Sequence, residues 1–234
     1  MKKLLLILLF IAVQISITSC VSDKGKHLFI LSGQSNMVRL DLNVSFIPSI
    51  EKEFGKDNVI VIKDAKGAQP ISRWYKKAKA NENETEIGDL YDRLLQKVND
   101  SIAERKIQSV TFIWMQGERD ARIKNAEVYE EYLLGLYDQL ATDLNENNIN
   151  FVIGRLSDFD MNNERWPHWT KIREIQQKVG ESNPRFDWVD TDEFNDGMNS
   201  KGDTIQNDLH MSVEGYKHLG ETFAKKAIHL IKEN

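Results

Sequence analysis

One serine lies in a short polar segment that directly follows an apolar run. Residues 33–37 read Gly-Gln-Ser-Asn-Met, and they come straight after the run Leu28–Leu31. A small polar loop that leaves a buried strand is a place where an α/β protein exposes a nucleophile. A serine hydroxyl reacts poorly until a base takes its proton, so Ser35 needs partners from other parts of the chain.

The best candidate for that base is His210. The other four histidines open a strand-like run, lie between two tryptophans or fall within the last helical stretch: His27, His168, His218 and His229. Only His210 lies in a polar loop beside an acid, where an imidazole can take a proton from a hydroxyl group. Residue types and spacing alone leave open whether Ser35 and His210 pair at all.

The elements that must position these residues alternate along the chain. Five short runs are rich in β-branched or aromatic residues and are bounded by polar residues or glycine, which predicts strands at His27–Leu31, Asn58–Ile62, Ser109–Trp114, Asn150–Ile153 and Asp187–Val189. Apolar residues recur at helical spacing between them, which predicts helices around residues 48–54, 87–102, 129–144, 169–179 and 213–232.

Alternating strands and helices predict a particular α/β architecture. We expect a three-layer α/β/α sandwich around a parallel sheet of about five strands, which is a flavodoxin-like arrangement. Sites in such sheets form at the carboxyl ends of the strands. Residues 33–37, 116–120 and 207–210 should therefore meet at one edge of the sheet.

The N-terminus has the pattern of an export signal. Lys2 and Lys3 precede an apolar stretch at residues 4–13, and small residues then lead to Cys20, the only cysteine. The apolar stretch is too short to span a bilayer. The pattern resembles a bacterial lipoprotein signal, although an ordinary secretory signal with an incidental cysteine is the alternative. We predict a signal peptide at 1–19, a lipidated tether at 20–26 and a single domain at 27–234.

This N-terminal pattern also predicts where the protein acts. A lipid on Cys20 would hold an exported protein in the cell envelope, at the periplasmic face or at the outer-membrane surface. The formal net charge is −5 and there is no block rich in lysine or arginine, which argues against a nucleic-acid partner. Glycine motifs that bind nucleotide phosphates are absent from the sequence, as are histidine and cysteine clusters with zinc spacing. Neither a metal nor an organic cofactor is expected.

Three blocks of the sequence resemble the SGNH (GDSL-type) hydrolases. They are residues 33–37, the pattern Trp-x-Gln-Gly-Glu-x-Asp at 114–120, and a C-terminal block that ends at His210. More narrowly, they are similar to the branch that contains sialate O-acetylesterases and the acetylxylan esterases of carbohydrate esterase family 6. The sequence Gly-Ala-Gln-Pro-Ile-Ser-Arg-Trp at 67–74 resembles the second block of that branch.

The resemblance implies a serine esterase that removes O-acetyl groups from carbohydrates. Ser35 would attack the ester carbonyl and become acylated, and His210 would act as general base and then as general acid. The oxyanion would be held by the backbone N–H of Ser35, by a backbone N–H near Gly67 and by the side chain of Gln116. The two acids of the 114–120 block are expected to organise the loop rather than to react.

Four further residues are candidates for contacts with the substrate. Arg73 and Arg119 could meet a substrate carboxylate, or they could form surface ion pairs. Trp74 could stack on a sugar ring, or it could pack in the core. Arg39 stands where the family usually has small residues, so it could intrude on the site or reshape its rim.

The last block departs from the family pattern at the residue that should hold the base. The family has an aspartate three residues before the histidine, whereas this chain has Asn207 there and Asp208 one position later. An asparagine cannot stabilise the imidazolium by charge, and the corresponding change in serine proteases costs about 10⁴ in turnover. We favour a Ser–His dyad helped by Asp208 or by a backbone carbonyl. A weakened or inactive glycan-binding protein and a broad small-ester hydrolase are the alternatives.

Overall fold

The computed structural model of the protein describes residues 25–79 and 86–234. The predicted signal peptide, Cys20 and most of the predicted tether lie outside the described residues. Lys26, the last residue of the predicted tether, already belongs to the first strand, because its backbone N–H donates to the Lys106 carbonyl at 2.9 Å. The folded domain therefore begins at least one residue before the predicted boundary.

Five parallel strands form the central sheet. In chain order they are β1 (Lys26–Gly33), β2 (Val59–Ala65), β3 (Ile107–Met115), β4 (Asn150–Gly154) and β5 (Phe186–Val189). Their order across the sheet is β2-β1-β3-β4-β5. The chain thus adds β2 on one side of β1 and all later strands on the other. The boundary between β1 and β3 is the switch point of the sheet, where ligand sites of open α/β folds form.

Helices cover both faces of this sheet. They are α1 (Ser35–Arg39), α2 (Phe46–Phe54), α3 (Asp89–Ile102), α4 (Glu118–Arg122), α5 (Ala126–Asp143), α6 (Trp169–Gly180) and α7 (Val213–Glu233). A small antiparallel hairpin, β6 (Gly197–Met198) with β7 (Thr204–Ile205), precedes α7. The sequence did not predict α1, α4 or the hairpin, because elements of two to five residues are too short to show a periodic pattern.

Alternation along each strand sorts the core into two layers. Leu28 and Ile30 of β1 face the layer of α3, α5 and α6, whereas Phe29 and Leu31 face the layer of α2 and α7. Burial on both faces explains why the strands read as continuous apolar runs. The predicted three-layer α/β/α sandwich is confirmed. In the part of the chain that the structure describes, no helix is long and apolar enough to cross a membrane.

Candidate active site

Ser35 lies at the carboxyl edge of the sheet, where β1 ends and α1 begins. The turn before it depends on Gly33, whose φ is +142° and whose missing Cβ would lie 1.9 Å from the Met115 carbonyl oxygen. Only glycine permits this approach of β1 to β3. The backbone N–H of Gln34 then donates to the same carbonyl at 2.9 Å. Ser35 follows as the first residue of α1, half-buried.

Gly67 lies directly beside the predicted nucleophile. A bond from Lys66 N–H to the Gly33 carbonyl, 3.1 Å long, continues the β1–β2 ladder into the loop that carries Gly67. A Cβ built on Gly67 would lie 3.7 Å from the Cβ of Ser35. The structure thus brings the two predicted backbone donors, Ser35 and Gly67, to the same place.

The side chain of Asn36 connects three segments that are far apart in sequence. Its Nδ2 donates to Glu118 Oε1 at 2.8 Å and to the Leu209 carbonyl at 3.2 Å, and its Oδ1 accepts a hydrogen bond from the Tyr216 hydroxyl at 2.7 Å. Asn36 is buried, so these bonds replace water that it would otherwise need. The residue after the predicted nucleophile is therefore tied to the residue before His210. Sequence reasoning assigned no role to Asn36 or Tyr216.

His210 lies in the wall of an open pocket of about 350 Å³, together with Arg39, Asp208 and Tyr216. Burial lowers the pKa of the imidazole below its ordinary value, and the positive charge of Arg39 lowers this pKa further, whereas Asp208 raises it. A neutral imidazole is what a general base requires. Among the described residues Ser35 and His210 share no hydrogen bond, which is common before substrate binds.

Asp208, rather than Asn207, approaches the imidazole. Asp208 Oδ1 lies 3.9 Å from His210 Nδ1 and accepts the backbone N–H of His210 at 2.8 Å. The Asn207 side chain instead accepts a long 3.4 Å hydrogen bond from Asn195, and its backbone φ is +48°. Asparagine tolerates this left-handed conformation better than most residues. The chain geometry thus accounts for an asparagine at 207, but it does not place its side chain against His210.

Gln116 is fully buried, and its amide is engaged with protein groups. Nε2 donates to the Gln69 carbonyl at 3.0 Å and to Asp120 Oδ2 at 2.5 Å, so both amide hydrogens have acceptors. The sequence predicted that the Gln116 amide holds the oxyanion. In this arrangement the amide is not free to do so. Asp120 Oδ2 also accepts the backbone N–H of Ile71 at 3.0 Å. Gln116 and Asp120 together fasten the 67–74 loop to the end of β3.

Glu118 is a buried carboxyl group with one unpartnered oxygen. Its Oε1 accepts the hydrogen bond from Asn36, and its Oε2 has no partner among the described residues. Burial raises the pKa of Glu118 to about 7, and the nearby charge of Asp120 also raises it. Near neutral pH this group is therefore partly protonated, which limits the charge that must be buried beside the nucleophile turn.

Arg73 has its guanidinium saturated by protein groups. Two hydrogen bonds of 2.5 and 2.6 Å join it to the Asp89 carboxylate, and further contacts of 2.6 and 2.7 Å join it to Glu86 and Gln69. The prediction that Arg73 meets a substrate carboxylate is wrong for this conformation. The structure shows the alternative, in which Arg73 forms ion pairs with Glu86 and Asp89. Arg119 is half-buried and has no ion-pair partner among the described side chains, so it stays a candidate for substrate contact.

Trp74 is a core residue and not part of a sugar-stacking rim. Its side chain is fully buried, and its ring packs edge-to-face on Trp114 with a centroid distance of 5.2 Å. The helical turn at Ile71–Arg73 directs the chain inward at this point. The prediction of a substrate contact at Trp74 is therefore wrong. No cluster of possible metal ligands occurs within residues 25–79 and 86–234.

Comparison with solved structures shows the same fold in other proteins. A protein from Arabidopsis thaliana is 19% identical, with a TM-score of 0.64, over 88% of this chain and 98% of that chain. A carbohydrate acetylesterase from Xanthomonas citri is 15% identical, with a TM-score of 0.66, over 88% of this chain, which spans 56% of that longer protein. NanS is 12% identical, with a TM-score of 0.57, over 90% and 99% of the two chains. At these identities the likeness establishes the fold.

Comparison of the sequence with protein families and with curated proteins gives two results. No curated protein matches the chain. The sequence model of one family, described as SASA, carbohydrate esterase, sialic acid-specific acetylesterase, matches residues 38–229. This match covers most of the chain, including His210 and the 67–74 loop, and it begins three residues after Ser35. The chain therefore belongs to the sialic acid-specific acetylesterase family of carbohydrate esterases and is a carboxylic ester hydrolase with the SGNH fold.

Proposed function

We propose that this protein is a serine esterase that removes O-acetyl groups from carbohydrates through an acyl-enzyme at Ser35. The Ser35 hydroxyl attacks the acetyl carbonyl while His210 takes its proton. His210 then gives that proton to the departing sugar hydroxyl. In the second half, His210 takes a proton from the water that attacks the acyl carbonyl, and it returns this proton to the Ser35 oxygen as that oxygen leaves and acetate is released.

The bridge made by Asn36 carries this proposal. One buried side chain bonds the nucleophile turn to the carbonyl of Leu209, the residue next to His210, and to Tyr216 in the same pocket wall. Positioned reacting groups account for a large part of catalysis, and small displacements are costly. The bridge supports pairing of Ser35 with His210 even though they are 175 positions apart in the sequence.

The oxyanion is assigned to backbone donors. The N–H of Ser35 lies at the start of α1, and Gly67 lies against Ser35. Loss of one such donor typically costs about 10²–10³ in turnover. Gln116 contributes by holding the Gly67 loop, since its amide bonds the Gln69 carbonyl.

The imidazolium that forms in each half-reaction is stabilised by Asp208. Its carboxylate lies 3.9 Å from Nδ1, which leaves Nε2 as the nitrogen that faces the substrate. At this separation the contact is a charge interaction rather than a hydrogen bond. A partly exposed carboxylate stabilises the imidazolium less than the buried aspartate of a serine-protease triad.

The substrate class follows from the family. A carbohydrate O-acetyl ester, either of a sialic acid or of an acetylated plant or host glycan, is the proposed substrate. The family description supports the first, and the likeness to a carbohydrate acetylesterase from Xanthomonas citri supports the broader class. We further propose that a lipid on Cys20 anchors the protein in the cell envelope, on the basis of the N-terminal sequence alone.

A chromogenic acetyl ester tests the activity. The protein that lacks residues 1–20 is assayed beside Ser35→Ala, and a panel of acetylated sialic acids, xylan fragments and simple esters follows. We expect hydrolysis that depends on Ser35 and a higher kcat/KM for acetylated sugars than for simple esters. Equal rates for the two proteins would refute the catalytic proposal. Equal kcat/KM values across the panel would favour a broad small-ester hydrolase.

A second candidate function is glycan binding through the same cleft with weak or no turnover. The 3.9 Å separation of Asp208 from His210, and an Asn207 side chain directed at Asn195, favour it. Calorimetric titration of Ser35→Ala with acetylated sugars distinguishes the two functions. Binding to Ser35→Ala together with negligible turnover by the unsubstituted protein is the result that would favour this second candidate.

A further inference from the structure

Lys63 makes an unusual set of contacts at the end of the nucleophile helix. It lies on β2, in register with Leu31 of β1, on the face that packs against α1 and α2. Its Nζ donates to three backbone carbonyls, those of Met37 at 3.2 Å, Val38 at 3.2 Å and Leu40 at 2.6 Å. An ammonium group has three hydrogens, so all of its donors are used on this one turn.

Two of these carbonyls, those of Met37 and Val38, belong to the end of α1, and the third is that of its C-cap residue Leu40. The last four carbonyls of any helix lack a partner within the helix. The problem is acute in α1 because it has only five residues and begins at Ser35. Isolated helices of this length do not hold together in water. Tertiary contacts must therefore fix the geometry of α1.

The choice of lysine at this position has a physical cost. Its neighbours on the same face of β2 are Val61 and Ala65, which pack against the core. Burial lowers the pKa of Lys63, so its charged form is partly desolvated, whereas the exposed carboxylate of Asp41 works in the opposite direction. An apolar residue would fit this face without that cost. The hydrogen bonds from the ammonium group to the three carbonyls offset this desolvation cost.

The same strand also leads to the second proposed oxyanion donor. β2 ends at Ala65, and Gly67 lies against Ser35 two residues later. Lys63 therefore connects the strand that carries the Gly67 loop to the C-terminal end of the turn that carries Ser35. Asn36 holds the same turn from the side of α4 and α7.

We propose that Lys63 is a positioning residue for ester hydrolysis, whose side chain holds α1 so that the Ser35 hydroxyl keeps its alignment with Gly67 and His210. This inference rests on the proposed role of Ser35. It predicts that loss of the ammonium group lowers the rate of acylation without removing any group that touches the substrate.

The test compares Lys63→Met, Lys63→Arg and the matched control Lys52→Met, all as the full chain purified in detergent. Lys52 is an exposed lysine on α2 without a side-chain partner among the described residues. We expect kcat of Lys63→Met to fall by roughly 10–100-fold, with KM changed by less than about threefold, because a displacement of about 1 Å costs this much. Lys63→Arg should recover part of kcat, and Lys52→Met should match the unsubstituted protein.

Rates are expressed per folded molecule, with the folded fraction taken from near-UV circular dichroism at the assay temperature. If kcat per folded Lys63→Met molecule equals that of the unsubstituted protein, Lys63 has a structural role only and the inference is overturned. A rise in KM alone would also overturn it. Ser35→Ala in the same series separates this result from failure of the proposed function, since an active Ser35→Ala protein would refute the latter.

Discussion

Replacement of Glu118 by glutamine should change how stability depends on pH. The folded protein raises the pKa of this buried carboxyl group from 4.5 to about 7. Between these values the unfolded chain has released the proton while the folded protein keeps it, so stability falls as pH rises through this window. A shift of this size at 1.36 kcal/mol per unit is about 3 kcal/mol. Glu118→Gln removes the ionisation and should remove that loss.

Urea unfolding at pH 5, 6, 7 and 8 measures this effect as a difference between two proteins. The advantage of Glu118→Gln over the unsubstituted protein should grow with pH by up to about 3 kcal/mol, mostly between pH 5 and pH 7. Other titrating groups are shared and cancel in the difference. The control Glu127→Gln replaces a carboxyl group whose side chain is 77% exposed and should give a nearly constant difference. A Glu118→Gln advantage that stays the same at all four pH values would refute the reasoning.

Three further predictions concern the active site. Arg39→Gln should raise the pKa of His210, because the positive charge that lowers this pKa is gone. The acid limb of kcat/KM against pH should therefore move to higher pH, and an unmoved limb would mean that Arg39 does not act on the base. Asp208→Asn should move the same limb to lower pH and reduce kcat, and unchanged ester hydrolysis would exclude a role for Asp208. Gly67→Ala adds a methyl group 3.7 Å from the Ser35 Cβ. It should lower kcat by about 10-fold or more with little change in the urea midpoint of unfolding. Full activity would show that no oxyanion lies beside Gly67.

Residue patterns were sufficient to predict the sheet, and they predicted at which of its edges the candidate residues lie. Each predicted strand was found within a few residues of its boundaries, because apolar runs bounded by polar residues report burial on both faces of a parallel sheet. Parallel strands then bring their carboxyl ends to one edge. The sequence predicts Ser35, Gln116 and His210 at the same edge for this reason.

The direction of individual side chains was not predictable in this way. Arg73 and Trp74 follow the glycine of a loop, a position typical of contact with a ligand, but the structure directs both inward. Asp89 fixes the direction of the Arg73 side chain, and Trp114 fixes that of Trp74. Both partners belong to other elements of the fold. Lys63 gives the opposite case, since a lysine on a strand predicts exposure, whereas its ammonium group contacts the carbonyls of α1.

The sequence by itself determined the fold class and predicted the segment of the proposed nucleophile and its proposed base, because periodicity and residue type act locally and topology follows from them. Only the tertiary structure decided which groups surround Ser35 and His210. In the sequence Asn36 is only part of a motif, and its bonds to Glu118, Leu209 and Tyr216 exist only in the tertiary structure. Whether a hydrogen bond forms depends on differences of a few tenths of an ångström in the distance between segments far apart in the chain, and residue spacing does not encode such differences.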